Sequence, residues 1–214
     1  MTILSRTVRL TAAAILMMVI TAAARDERCN DFAPYWSTHA RQLSCRGEGP
    51  VVITAPNKEA TLTVTDENID VKVRGKTIDQ ITVMPLLEVA WSPDSHSFFT
   101  TESDGGLVGG WYIRVYVLSD GSVREEDFSD TVRKRFQRQV HRLTAEIPNV
   151  AGIKWIDGAT LLAVAEVPPH SSCRNMGHFS GYAISIKSGR ILREYTEKQV
   201  RRRWGTTLGG RLAQ

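Results

Sequence analysis

The sequence predicts a mainly β protein built from three antiparallel, four-stranded repeats, together with two short helices. The first observation is an internal repeat, because Pro56 and Asn57 stand 37 residues before Pro93 and Asp94 in similar surroundings. The second is the alternation of apolar and polar residues in runs such as Ile113–Val117, which is typical of strands with one buried face. The third is the series of Asp-Gly and Ser-Gly turns that close tight hairpins.

Each repeat consists of strand, turn, strand, loop, strand, turn and strand. A self-similar antiparallel unit of this size is typical of the blades of a β-propeller. We therefore predict three blade-like repeats, a partial β-propeller-like array, in a single domain at 50–205, followed by a tail at 206–214 that should fray. The repeats are seen in Ile53–Val64 with Ile69–Val73, in Val89–Thr101 with Tyr112–Val117, and in Ile153–Val164 with Gly181–Ile186.

The first 24 residues have the layout of a secretory signal peptide. Arg6 and Arg9 form a positive region, Leu10–Ile20 is almost wholly apolar or small, and Ala22–Ala24 fits a cleavage site. The apolar run is shorter than the about 20 residues that a membrane-spanning helix needs. We therefore expect cleavage after Ala24, a secreted or periplasmic location, and no transmembrane segment in the mature chain.

The charge balance argues against nucleic acid as the partner. The chain has 27 Lys and Arg against 23 Asp and Glu, a net charge of +4, which falls to +2 when Arg6 and Arg9 leave with the signal peptide. An exported chain of such modest charge is expected to bind a protein or another cell-envelope component. The sequence does not indicate the oligomeric state.

Three cysteines remain after cleavage, two of them in an N-terminal segment at 25–49. In an oxidising compartment three thiols most simply give one disulfide bond and one leftover thiol. A bond between Cys29 and Cys45 would close a short local loop, and this pairing is slightly favoured. A bond between Cys45 and Cys173 would instead tie the start of the fold to its end.

Two helices are predicted from apolar periodicity and capping residues. The first should run from Thr131 to Leu143 behind the capping pair Ser129–Asp130, because apolar residues recur there at every fourth position. The second should begin with a capping box formed by Thr196 and Gln199 and end at Gly205. Both are rich in arginine, which we interpret as solvated faces, with anionic lipid or an acidic partner surface as the alternatives.

One stretch resembles a known family of repeats. Trp91–Ser95 resembles the WSPDG turn of the TolB and WD40-like β-propeller repeats, Ala55–Lys58 is a degraded version of it, and Trp155–Gly158 keeps only its ends. The resemblance implies blade architecture but no activity, because folds of this kind host many functions. The chain departs from the family in having Ser95 where Gly is usual, and in having fewer than the four blades of the smallest closed propellers. We also expect Trp91 to be a buried anchor of the middle repeat.

No catalytic motif is complete. Gly75–Thr77 is similar to the end of a phosphate-binding loop, but Asp70 stands where the leading Gly is required. Gly177–Gly181 has its serine one place too late for a nucleophile elbow. The missing motifs favour a non-catalytic module over an enzyme without deciding the question.

One loop concentrates the candidate binding residues His170, Cys173, Met176 and His178 within nine positions. Sulfur and imidazole ligands together suit copper, and thiolate with imidazole also suits zinc. The spacing does not match a copper-binding loop, so we expect no cofactor, and a copper- or zinc-dependent metal or redox function at this loop is the alternative. Binding residues concentrate on loops held by a rigid scaffold. The leading interpretation is therefore an exported, non-catalytic binding module of unknown ligand.

Overall fold

A computed structural model describes residues 35–43, 50–65, 67–105, 110–140 and 146–213 of the chain. The predicted signal peptide and the first two cysteines lie outside these residues, so neither prediction is tested. Within the described part, antiparallel strands form three separate sheets and two short α-helices accompany them. No helix among these residues has both the length and the apolar character needed to cross a membrane.

Each predicted repeat forms one sheet in which four consecutive strands pair with their neighbours along the chain. This strand order is that of a propeller blade, and it confirms the predicted mainly β fold with three blade-like repeats. A short additional strand, β1, pairs with β6 at the edge of the second blade. In chain order the strands are β1 (Arg41–Gln42); β2 (Val51–Thr54), β3 (Ala60–Val64), β4 (Asn68–Val73) and β5 (Lys76–Thr82) in the first blade; β6 (Leu86–Trp91), β7 (Ser97–Ser103), β8 (Tyr112–Ser119) and β9 (Ser122–Asp127) in the second; and β10 (Asn149–Asp157), β11 (Thr160–Glu166), β12 (Phe179–Ser185) and β13 (Ile191–Thr196) in the third.

The similarity between the first and second blades extends to individual hydrogen bonds. In the turn after β2, Lys58 N donates to Ala55 O at 2.9 Å, and in the turn after β6, Ser95 N donates to Ser92 O at 3.0 Å. Lys58 and Ser95 both have a φ of +64°, the left-handed conformation that favours glycine. Ser95 therefore differs from the glycine that is usual in the family, but its backbone keeps the left-handed conformation at this position of the turn.

A tryptophan joins each later blade to the blade before it. Trp91 Nε1 donates to Ile53 O at 3.3 Å, and Trp155 Nε1 donates to Ala90 O at 3.1 Å. Ile53 and Ala90 are equivalent positions in the 37-residue repeat. Trp155 is 6% exposed, but Trp91 is only half-buried, because strand β2 beside it is itself partly exposed. The expectation that Trp91 is a buried anchor is therefore wrong, although its ring packs edge-on against Phe98.

The apolar core occupies the spaces between neighbouring blades. Side chains such as Leu62 and Phe98 fill the space between the first and second blades. Between the second and third blades, helix α1 (Ser129–Gln139) contributes Phe136 to a cluster that also contains Phe99. The buried faces of the three sheets thus pack in sequence order.

Helix α1 begins two residues earlier than predicted, and Ser129 does not cap it. Ser129 Oγ accepts a hydrogen bond from Ile113 N at 2.9 Å and donates one to Ile113 O at 3.2 Å. Its backbone N donates to Asp127 Oδ1 at 2.7 Å. The serine therefore fixes the start of the helix to strand β8, because its hydroxyl is used by the neighbouring strand.

The second helix, α2 (Glu197–Trp204), starts as predicted. Gln199 N donates to Thr196 Oγ1 at 3.4 Å, and Thr196 N donates to Gln199 Oε1 at 2.8 Å, which completes the capping box. Gly205 follows the last helical residue and begins a single 3₁₀ turn, Gly205–Thr207. Helix α2 packs on strands β12 and β13 of the third blade.

The expectation of a fraying tail at 206–214 is wrong for the residues up to 213. Leu208 and Leu212 are buried against the third blade. Arg211 Nη2 lies 2.7 Å from Glu166 Oε2 in an ion pair with little exposure of either side chain. Because apolar and charged side chains both find partners on the blade, the tail is held in place.

The three blades form an open array whose two outer faces differ. The segment Tyr35–Ser37, helix α2 and the C-terminal residues cover the outer face of the third blade, where Ser37 Oγ donates to Ile153 O. The outer face of the first blade is polar, and Gln80 Nε2 there donates to Asp70 Oδ1 at 2.8 Å. One end of the array is therefore covered by these segments, and the other is solvated.

Candidate functional site

The candidate site is the β11–β12 loop, Val167–His178, together with the elements that support it. Its base is closed by backbone hydrogen bonds of 2.9 Å from Val167 N to His178 O and from Gly177 N to Val167 O. Gly177 has a φ of +76°, which allows the chain to turn back into β12. The loop thus continues the hairpin of the sheet.

The middle of the β11–β12 loop is anchored inward. Cys173 is 7% exposed and belongs to the apolar cluster between the second and third blades. Ser172 N donates to Glu146 Oε1 at 2.9 Å, which ties the loop to the segment before β10. Cys173 has no disulfide partner among the described residues, and because Cys29 and Cys45 lie outside them, the pairing of the cysteines stays a prediction.

The predicted site residues on either side of Cys173 are exposed to solvent. His170 and Met176 are exposed, and Met176 has 51% of its surface in contact with solvent. Arg174 and Asn175 between them are exposed as well. Across the described part of the chain, no three His, Cys, Asp or Glu side chains are grouped as a metal site would require. The loop therefore presents polar and thioether groups outward while its thiol faces the core.

His178 connects the β11–β12 loop to both helices. Its Nδ1 lies 3.0 Å from Glu197 Oε2 at the start of α2, and its ring stacks on Phe136 of α1 with centroids 6.4 Å apart. Glu197 Oε1 lies 2.8 Å from Arg201 Nη2. His178 thus has a supporting position within the site.

A second surface, on β13 and α2 of the same blade, was missed from the sequence. The side chains of Arg193, Tyr195, Arg203 and Trp204 form what we call the Arg–aromatic cluster. The guanidinium carbons of Arg193 and Arg203 lie 5.9 and 5.5 Å from the Tyr195 ring centroid, and Arg203 lies 5.0 Å from that of Trp204. The spacing of Arg193 and Tyr195 places them on one face of β13, and this signal could have been used.

Two buried acidic side chains attach the segments Tyr35–Ser37 and Leu208–Leu212 to the blades. Glu88 is 1% exposed and accepts hydrogen bonds from Tyr35 N and Trp36 N at 2.8 Å and from Ser37 N at 3.2 Å. Burial raises the pKa of Glu88 to about 7, against the three backbone hydrogen bonds, which lower it. Glu166, the second carboxylate, holds the tail through its ion pair. A single Glu inside the apolar run of β6 was the available sequence signal for Glu88.

A further cleft lies elsewhere, between the turns of the first and second blades. It has a volume of about 510 Å³ and is lined by basic and acidic side chains, among them Arg74, Glu59, His96 and Asp120. Arg74 Nη2 lies 3.2 Å from Glu59 Oε2, so part of this charge is already paired. The mixed lining does not favour a ligand of either charge.

Comparison with known proteins does not identify a family. No family model matches the chain, and no curated protein matches its sequence. Among solved structures the chain is similar to a protein assigned as TolB from Agrobacterium tumefaciens, with 13% sequence identity and a TM-score of 0.35. The match covers 70% of this chain and 44% of the other, so the chain spans less than half of that protein. The interpretation of the site therefore rests on its own geometry.

Proposed function

We propose that this chain is an exported, non-catalytic interaction module that binds a protein or another cell-envelope component through the β11–β12 loop. The observation that carries the proposal is the combination of a fixed backbone with exposed side chains. Val167 and Gly177 close the base of the loop, Cys173 anchors its middle, and His170 and Met176 face solvent. A loop that is already ordered loses less conformational entropy when it binds.

The exposed residues of the loop suit a contact with another macromolecule. Met176 offers a flexible, polarisable apolar group that adapts to different surfaces. Arg174 and Asn175 next to it supply a charged and an amide donor. An apolar centre with a polar rim is the usual arrangement of protein interfaces.

The proposal involves no cofactor, and copper or zinc at the loop is the alternative. Cys173 packs into an apolar cluster and His178 is bonded to Glu197, so both would have to move before they could join His170 and Met176 around a metal. Metal analysis of protein made without a chelating tag tests this. Stoichiometric copper or zinc that is lost in Cys173→Ser would support the alternative.

Site-specific photo-cross-linking in cells tests the loop proposal. A photoreactive amino acid at Met176 should give a discrete cross-linked product in the envelope fraction. Val52 is the matched control, because it is an apolar residue, 60% exposed, on the first blade. Equal products at both positions, or none at Met176, would contradict the proposal.

Export itself predicts a mature N-terminus at Arg25, and intact Met1 on cytosolic protein would exclude it.

A further inference from the structure

We propose that the Arg–aromatic cluster on β13 and α2 is a docking surface for a carboxylate-rich segment of a partner protein. This inference rests on the proposed function, because it takes the bound component to be a protein. It adds a second contact surface on the blade that carries the β11–β12 loop and specifies the chemistry of the partner.

The region around the cluster has an excess of positive charge. The stretch Lys187–Arg203 contains seven Lys or Arg and two Glu, a net charge of +5, which is more than the +4 of the whole chain. Both acidic residues are already engaged. Glu194 Oε1 lies 2.5 Å from Arg135 Nε, and Glu197 Oε1 lies 2.8 Å from Arg201 Nη2. The excess charge is thus left for an external group.

Three of the arginines in this stretch lie in the Arg–aromatic cluster or next to it. Arg193, Arg202 and Arg203 are exposed, and no carboxylate in the described part of the chain lies within ion-pair distance of them. Leu192, on the same edge strand, is 60% exposed and offers an apolar contact next to them. The surface thus combines uncompensated charge with an apolar contact point.

Aromatic rings hold two of these arginines in place. The Tyr195 ring has Arg193 and Arg203 as neighbours, and Trp204 packs edge-on against Tyr195 with centroids 4.8 Å apart. A guanidinium stacked on an aromatic ring is restricted in its motion and keeps the N–H groups of its edge for hydrogen bonding. Arginine binds carboxylates through two parallel hydrogen bonds. The cluster is therefore preorganised for Asp and Glu side chains.

An anionic membrane is the competing partner, and the packing of α2 argues against it. A helix that lies in a membrane interface inserts its apolar face into the lipid. The apolar residue Val200 of α2 is instead fully buried on the third blade, where a Cβ added to Gly181 would lie 2.5 Å from Val200 Cγ2. With its apolar side used in this way, α2 offers charge but no apolar face for insertion.

Binding of a fluorescent, Glu-rich synthetic peptide to the mature protein tests the inference. At low salt the double variant Arg193→Gln/Arg203→Gln should bind the peptide about tenfold or more weakly than wild type. The control Lys187→Gln/Arg190→Gln removes the same charge from the neighbouring turn and should lose about threefold or less. Arg203→Lys keeps the charge but loses the planar fork, so its affinity should fall between wild type and the double variant.

Several outcomes would overturn the inference. These are equal losses in the two double variants, no binding of the peptide by wild type, or binding to phosphatidylglycerol vesicles without binding to the peptide. Thermal melting curves show whether each variant is folded. The loop proposal is tested separately, because cross-linking at Met176 without peptide binding overturns this inference alone. Peptide binding without the Met176 cross-link overturns the loop proposal alone.

Discussion

Replacement of Glu88 by Gln should remove a large part of the pH dependence of this protein's stability between about pH 4.5 and 7. The carboxyl group is almost fully buried and accepts hydrogen bonds from three consecutive backbone amides, those of Tyr35, Trp36 and Ser37. Burial penalises its charged form, and its pKa rises from 4.5 to about 7 in the folded protein. The group therefore keeps its proton in the folded state at pH values where the unfolded chain has lost it.

The sign and the size of the effect follow from this difference. Between pH 4.5 and about 7 the folded state binds more protons than the unfolded state, so the free energy of unfolding falls as the pH rises. At about 1.4 kcal/mol for each pKa unit, the change amounts to about 3 kcal/mol. The contribution of Glu88 is thus fully present below about pH 4.5 and is lost above about pH 7.

Urea unfolding followed by tryptophan fluorescence measures the effect. The difference in unfolding free energy between wild type and Glu88→Gln should fall by about 3 kcal/mol from about pH 4.5 to about pH 8. The amide itself changes the free energy of unfolding by an amount that does not depend on pH, because Gln does not titrate. This amount therefore cancels when the differences at the two pH values are compared. Glu59→Gln, an exposed position of the first blade, is the control and should give a nearly constant difference. A constant difference for Glu88→Gln would refute the reasoning.

Three further predictions concern packing. Gly181→Ala should lower the free energy of unfolding by about 1–3 kcal/mol, because its Cβ would overlap Val200 and displace α2; thermal melting measures this, and an unchanged midpoint contradicts it. Trp155→Ala should lower the free energy of unfolding by about 3–5 kcal/mol and Trp91→Ala by clearly less, since only Trp155 is buried. Equal losses in chemical denaturation would contradict the view that burial determines the size of the effect. Iodoacetamide should modify Cys173 only after unfolding, because the thiol is buried; rapid labelling of native protein, mapped by mass spectrometry, would exclude the described loop.

The features that could be predicted from the sequence depend on residues close together along the chain. Pro56 and Pro93 fix equivalent turns because proline and the Asn or Asp after it determine the local backbone. The capping box of α2 was predictable for the same reason, since Thr196 and Gln199 satisfy each other's backbone within one turn. Alternation then placed the strands, because side chains in a strand point to opposite faces in turn.

The features that could not be predicted depend on partners distant in the sequence. Ser129 was expected to cap α1, but its hydroxyl is bound by Ile113 of a neighbouring strand. The residues after 205 were expected to fray, but Leu212 is buried because it packs against the third blade. The loop residues share metal-binding chemistry in the sequence, yet Cys173 faces the core while His170 faces solvent. Composition alone does not give the direction of a side chain in a loop.

The way the third blade ends explains how three blades can form a stable array without closing into a ring. A further blade would pack against its outer face, but Trp36, Val200 and Leu212 of this chain already bury that face. The carbonyl of Ile153, on the first strand of the third blade, is also taken, because Ser37 Oγ donates to it. Tyr35–Ser37, helix α2 and the segment Leu208–Leu212 thus occupy the face on which a further blade would pack. Because α2 is part of this cover and also contacts His178, the same packing that ends the array supports the base of the β11–β12 loop.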